Sequence, residues 1–208
     1  MAEFSAFHKD VLPQLPGAPI PVINYALLQS AIQFAEDSLI LQYEADIVSV
    51  RPNVADYEVP LVDEQTELAM VMRVLLDGRL VNPVASDNRP THLVPAQTYE
   101  VVDGEGEDPQ LIRLLATPTQ SGVLAVRVAV KPKQDAPSVP DELWRHHRYA
   151  IGCGAMASLM TQTGKTWSQP ALGAAHYKEF RALVAKAQVD ANRNETRANL
   201  RVNNRPFA

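Results

Sequence analysis

Cys153 stands between Gly152 and Gly154 and is the chain's single cysteine. A thiol becomes a nucleophile when its pKa is lowered and a base is placed beside it. Its neighbours here are Gly152, Gly154, Ala155, Ala157 and Ser158, small residues that let another helix approach, so a core thiol is the expectation. His146 and His147 are adjacent, which on a helix turns them about 100° apart, away from any one shared metal. His8, His92 and His176 are scattered along the chain. Gly164-Lys165-Thr166 has the form of the end of a phosphate-binding loop. That loop needs a glycine where this chain has Leu159, and a strand where this chain has a helical pattern. None of these spacings calls for a catalytic residue, a metal or a cofactor.

Charge is the stronger signal. Arg193, Arg197, Arg201 and Arg205 recur every fourth residue among asparagines, with Phe207 close behind. Both a solvated tail and an arm that docks on a neighbour fit that ladder. Glu100, Asp103, Glu105, Glu107 and Asp108 form an acidic cluster, and residues 36–64 carry a second acidic excess against Arg51 alone. Opposite patches on one chain suit head-to-tail packing of identical subunits, and they equally suit solvated loops. Trp144 and Trp167 bracket one helical pattern, as core residues or as interface anchors.

With 208 residues the chain has room for one domain of ordinary size, or one domain with an insertion. A net charge of -5 argues against wrapping nucleic acid. The N-terminal stretch lacks the basic-then-apolar order of a signal peptide, and no apolar run approaches the roughly 20 residues of a membrane span. With one cysteine there is no disulfide framework, so synthesis in a reducing cytoplasm is expected.

The elements follow from periodicity. Pro13, Pro16-Gly17, Pro19 and Pro21 predict a rigid, non-helical lead-in. Ile23, Leu27, Ala31 and Phe34, with Ala26 and Ser30 beside them, predict a helix over 22–41 whose last turn, at Glu36 and Asp37, faces out. Period-two stretches then predict strands at 45–50, 56–59, 68–76, 98–102, 111–115 and 123–130. Asp77-Gly78 is the clearest hairpin turn. Ser138 and Asp141 have capping-box spacing for a helix whose core face holds Leu143, His147, Ala150, Ile151, Gly154 and Ser158, with Gly164 at its C′ position. His176, Phe180, Leu183, Val184 and Ala187 give the last helix its stripe, with Pro170 in the first turn.

The expected fold is α+β: a small bundle of about three main helices with an inserted antiparallel sheet or sandwich and an extended C-terminal arm. The parts are a lead-in and first helix (1–42), a β insertion (43–132), two further helices (138–192) and an arm (193–208).

Six stretches, taken in order, resemble the head-to-tail adaptor (connector, tail-tubular A-like) proteins of tailed phages. They are Val11-Leu12-Pro13-Gln14-Leu15-Pro16-Gly17-Ala18-Pro19, Leu27-Leu28-Gln29-Ser30-Ala31-Ile32-Gln33-Phe34, Val128-Ala129-Val130-Lys131-Pro132, Pro140-Asp141-Glu142-Leu143 with Gly164-Lys165-Thr166-Trp167, and residues 191–202. The resemblance implies a structural, non-enzymatic ring of about twelve copies beneath the portal, with the bundles side by side. It also implies contact of the β insertion with a tail or nozzle protein, non-specific passage of viral DNA and residence in the virion. Portal contacts would fall on Arg193, Arg197, Arg201, Arg205 and Phe207. Glu100, Asp103, Glu105, Glu107 and Asp108 would line the lumen, where like charge keeps DNA from sticking. The competing expectations are a second-tier protein of the same tail, a small hydrolase using His146, His147 or Cys153, and a β-rich binding module presenting Tyr57 and Tyr99.

Overall fold

The computed structural model describes residues 1–45, 47–59, 61, 63–84, 98–102 and 111–193. In chain order the elements begin with β1 (Ala2–Glu3), α1 (His8–Val11), α2 (Ile20–Ser38), β2 (Gln42–Glu44), β3 (Val48–Val50) and β4 (Asp56–Glu58). There follow β5 (Thr66–Leu76), β6 (Arg79–Pro83), β7 (Thr98–Val102), β8 (Leu111–Leu114) and β9 (Gly122–Pro132). The chain continues with β10 (Ser138–Val139), α3 (Asp141–Met160) and α4 (Pro170–Asn192). The class is α+β, with four α-helices among the described residues where about three main ones were expected; the extra one, α1, is a single turn. The chain divides into two units, Met1–Ile40 with Pro137–Ala208, and Leu41–Ala136.

In the first unit the lead-in is helical, against expectation. Phe4–Phe7 and Leu12–Gln14 are 3-10 turns on either side of α1. The prolines allow this because they fall where no donor is lost: Pro13 is the second residue of the second 3-10 turn and Pro21 lies in the first turn of α2. The Pro19 carbonyl accepts from the N–H of Val22 and of Ile23, which starts α2 two residues early. The helix also stops early. Leu39 takes a left-handed φ of 52° and bonds back to the Ala35 carbonyl, while the Ser38 hydroxyl donates to the carbonyl of Phe34 at 2.6 Å. Within its last turn Glu36 is exposed as expected, but Ser38 is buried.

Ile23, Ala26, Leu27, Ser30, Ala31 and Phe34 are all buried, as the apolar spacing of α2 requires. On α3 the buried set includes Leu143, Ala150 and Ile151, but Ser158 is exposed. No capping box forms. Ser138 is instead paired with Glu3 in the β1–β10 ribbon, and the N-cap residue is Pro140, which has no side-chain acceptor to offer. Gly164 has the left-handed φ expected of a helix-ending glycine, yet sits in the turn beyond Thr161, whose hydroxyl closes α3 onto the Ala157 carbonyl. Phe180, Val184 and Ala187 of α4 are buried, and His176 and Leu183 half-buried.

Helix directions follow from the contacts. Ser30 donates to the Ile151 carbonyl while Phe34 meets His147, so α2 is antiparallel to α3. Gly173 lies against Thr161 while Gly154 lies against Phe180, so α4 is antiparallel to α3 as well. α2 and α4 therefore run the same way. Phe34 and Phe180 join them, ring centroids 6.2 Å apart, and Arg181 donates to Asp37 at 2.7 Å. Burying each of these phenyl rings contributes about 1.5–3 kcal/mol relative to exposure.

The second unit is one eight-stranded sheet in the order β2-β9-β5-β6-β7-β8-β4, with β3 also on β9. It departs from the expected antiparallel sheet at one joint: β6 and β7 are parallel. Parallel neighbours need a crossover of a dozen or more residues, and residues 84–97 supply that length. The strand expected at 45–50 is found as β3 at Val48–Val50, and β2, just before that range, is a strand the sequence pattern did not predict; both pair with the long β9. Asp77 and Gly78 both have positive φ, 49° and 76°, as a two-residue primed turn demands. Leu124, Val126, Val128 and Val130 of β9 are buried together with Val74 and Val81.

Candidate interaction surface

Helical period fixes which side chains α2 and α4 turn away from their own packing. On α2 the face opposite Ile23, Leu27 and Phe34 holds Val22, Tyr25, Gln29, Gln33 and Glu36. Four of these are exposed and Gln29 is half-buried; Tyr25 keeps 64% of its surface. On α4 the face opposite Phe180 and Val184 holds Ala171, Ala175, Lys178, Ala182, Ala185 and Val189, all exposed. A helix whose outward face is so nearly free of long side chains lets a second helix come close. α4 ends at Asn192 with Arg193 exposed behind it. Arg197, Arg201, Arg205 and Phe207 lie outside the described residues.

The acidic patch is not a single surface feature. Glu100 is 3% exposed and sits 3.5 Å from Arg113, which also binds Asp56 through two hydrogen bonds. Register explains it: Asp56 and Glu100 both stand opposite Arg113, on β4 and β7 either side of β8. The expectation that Glu100 lines a lumen is corrected by its burial: the carboxylate lies inside, beside the more exposed Arg113 guanidinium. Asp103, Glu105, Glu107 and Asp108 lie outside the described residues. The Arg113 hydrogen bond and charge hold the Asp56 carboxyl below its ordinary value against an opposing effect of burial.

The residues proposed for chemistry do not converge. Cys153 is fully buried on α3, and burial pushes its thiol up, the reverse of what a nucleophile needs. His147 packs its ring 4.9 Å from Phe34, and His146 is exposed with its ring 6.4 Å from that of His147. A depression of about 410 Å³ is lined by Glu3, Phe4, Ser5, His8, Asn24, Pro137 and Ser138, none of which belongs to the proposed catalytic set. In it His8 Nε2 and Asn24 Oδ1 are 2.7 Å apart, and the Ser5 hydroxyl donates to Glu3. Among the described residues no group of three or more His, Cys, Asp or Glu could hold a metal ion. No helix among them is long and apolar enough to cross a membrane. Lys165 lies over the Trp167 ring at 6.0 Å, in a turn that follows α3, without the strand-to-helix setting of a phosphate-binding loop. Tyr57 and Tyr99 are both buried and give the sheet no aromatic binding surface.

Sequence reasoning missed Arg113 and the outward stripe of α2. The period that located the core face of α2 also locates its reverse, so Tyr25 could have been found by carrying the same wheel half a turn further. No family model matches this chain, and a search of curated proteins finds no match to it.

Proposed function

We propose that this chain is a structural, non-enzymatic adaptor subunit that forms a ring beneath the portal of a tailed phage and joins head to tail. The observation that carries the reading is α4. It commits a narrow stripe to its own unit, exposes an alanine-rich face that also carries Lys178 and Val189, and leads into the arginine ladder. In a ring, a subunit packs such a face against its neighbour. In this reading α2, α3 and α4 are the small three-helix bundle that repeats side by side, in about twelve copies. The β unit meets the tail or nozzle protein, and viral DNA passes without sequence preference.

The C-terminal segment is the portal contact, through Arg193, Arg197, Arg201, Arg205 and Phe207. Each copy adds a weak contact, and repetition around the ring turns weak contacts into stable attachment. Deleting residues 193–208 tests this. The truncated chain keeps the helical circular dichroism of the full chain and no longer joins portal-bearing heads. Full occupancy of those heads by the truncated chain overturns the portal assignment.

A further inference from the structure

Four segments meet around the depression of about 410 Å³ in the helical unit. Glu3 on β1 stands directly opposite Ser138 on β10, and directly opposed residues of an antiparallel pair put their side chains on one face. The chain turns at once into the 3-10 turn Phe4–Phe7, so Phe4 and Ser5 join the lining, and α1 opens on His8. His8 in turn meets Asn24, in the second turn of α2, with Nε2 2.7 Å from Oδ1.

Apart from the Asn24 amide nitrogen, the polar groups so assembled mostly accept. Asn24 Oδ1 can only accept, so His8 Nε2 carries the hydrogen and the neutral ring keeps Nδ1 as an acceptor. The Ser5 hydroxyl gives its hydrogen to Glu3 at 3.2 Å and keeps its lone pairs. The Glu3 carboxylate has room for further donors beyond that one. Glu3 is also the one fixed charge in the described lining, which holds no Lys or Arg. The buried Phe4 and, beside it, Pro137 supply apolar wall.

We propose that this depression is a binding site for a guanidinium group on an apolar stem, such as an arginine side chain presents. An anion would meet the Glu3 carboxylate, and a divalent metal ion needs more oxygen ligands than one carboxylate supplies. A guanidinium is planar and weakly hydrated, offers five donors to acceptors placed apart, and stacks on an aromatic wall. An ammonium is more strongly hydrated, which ranks it second. Glu3 is exposed, so its charge alone contributes little and the apolar wall adds the rest. The affinity that follows is on the order of millimolar. Two sources carry this group: a small guanidinium compound or partner from outside the chain, and the chain's own Arg197, Arg201 and Arg205. The site does not depend on whether the chain forms a ring.

The test titrates the isotope-labelled full chain with N-acetyl-arginine N-methylamide and follows backbone amide shifts. Saturable shifts at Ser5, His8 and Asn24 are expected, and the neutral isostere, capped citrulline, is expected to bind about tenfold more weakly. Glu3→Gln, an isosteric change at an exposed residue, is expected to weaken capped arginine about fivefold. Glu64→Gln, exposed on the sheet unit, is expected to leave it unchanged. A second chain with Arg197, Arg201 and Arg205 changed to glutamine separates the sources. Equal affinity of the two chains supports a site filled from outside, and tighter binding by the glutamine chain supports one for which the chain's own arginines compete. Equal binding of capped citrulline, no saturable shift at Ser5, His8 and Asn24 in either chain, or an affinity unmoved by Glu3→Gln overturns the proposal.

Discussion

Gly154 and Phe180 lie so close that a Cβ on the glycine would stand 2.9 Å from the phenyl ring and closer still to the Ser30 hydroxyl. Three helices meet at this point, since Ser30 belongs to α2, Gly154 to α3 and Phe180 to α4. The run of small residues around Cys153 is explained by that approach.

Gly154→Ala is therefore expected to destabilise the helical unit, although alanine is the better helix former by about 1 kcal/mol. Overpacking a tight core costs about 1–3 kcal/mol, contacts this close belong to the upper half of that range, and the net loss should be about 1–2 kcal/mol. Urea unfolding followed by circular dichroism measures it. An unchanged or raised midpoint contradicts the packing described.

The row Asp56–Arg113–Glu100 predicts an acid dependence whose sign is fixed. Asp56 is held below its ordinary value of 3.8 in the folded chain. It therefore contributes stability that is present above the unfolded value and is lost as pH falls through the folded one. Stability should decline as pH drops below about 4, and Asp56→Asn should make that decline shallower. Arg113→Met should lower the urea midpoint at neutral pH more than Asp56→Asn does, because it leaves the buried Glu100 carboxylate without its cross-strand cation. Equal midpoints for the two variants would show that Arg113 does not support Glu100.

Cys153 should behave as a core thiol. A soluble disulfide reagent at neutral pH is expected to leave the native chain untouched and to label one thiol per chain as urea unfolds it. Cys153→Ala should cost about 1–2 kcal/mol through the small void it leaves. Rapid labelling of the folded chain contradicts its burial.

Much of the fold was legible because period is a local property. Ile23 to Phe34 could only be one face of a helix, and Asp77-Gly78 could only be a primed turn between strands. What escaped notice was set by partners distant in sequence. Ser138 has capping-box spacing with Asp141, but pairing with Glu3 across the whole chain takes it into a ribbon. The parallel joint of β6 and β7 depends on where a crossover returns, which no strand pattern records. Glu100 looked like one more surface acid until register set Arg113 opposite it. For the candidate surface, sequence showed the arginine ladder but not the outward stripes of α2 and α4, because which face of each helix is covered is set by packing between helices distant in sequence.

The central claim of the proposal is assembly on a portal, and mass photometry of the full chain, alone and mixed with a purified portal ring from the tailed phage proposed to encode it, tests it most directly. The account predicts that the portal ring gains many copies of the 22.9 kDa chain, in steps that converge on a fixed stoichiometry near its own symmetry. A portal ring whose mass is unchanged by excess chain contradicts it.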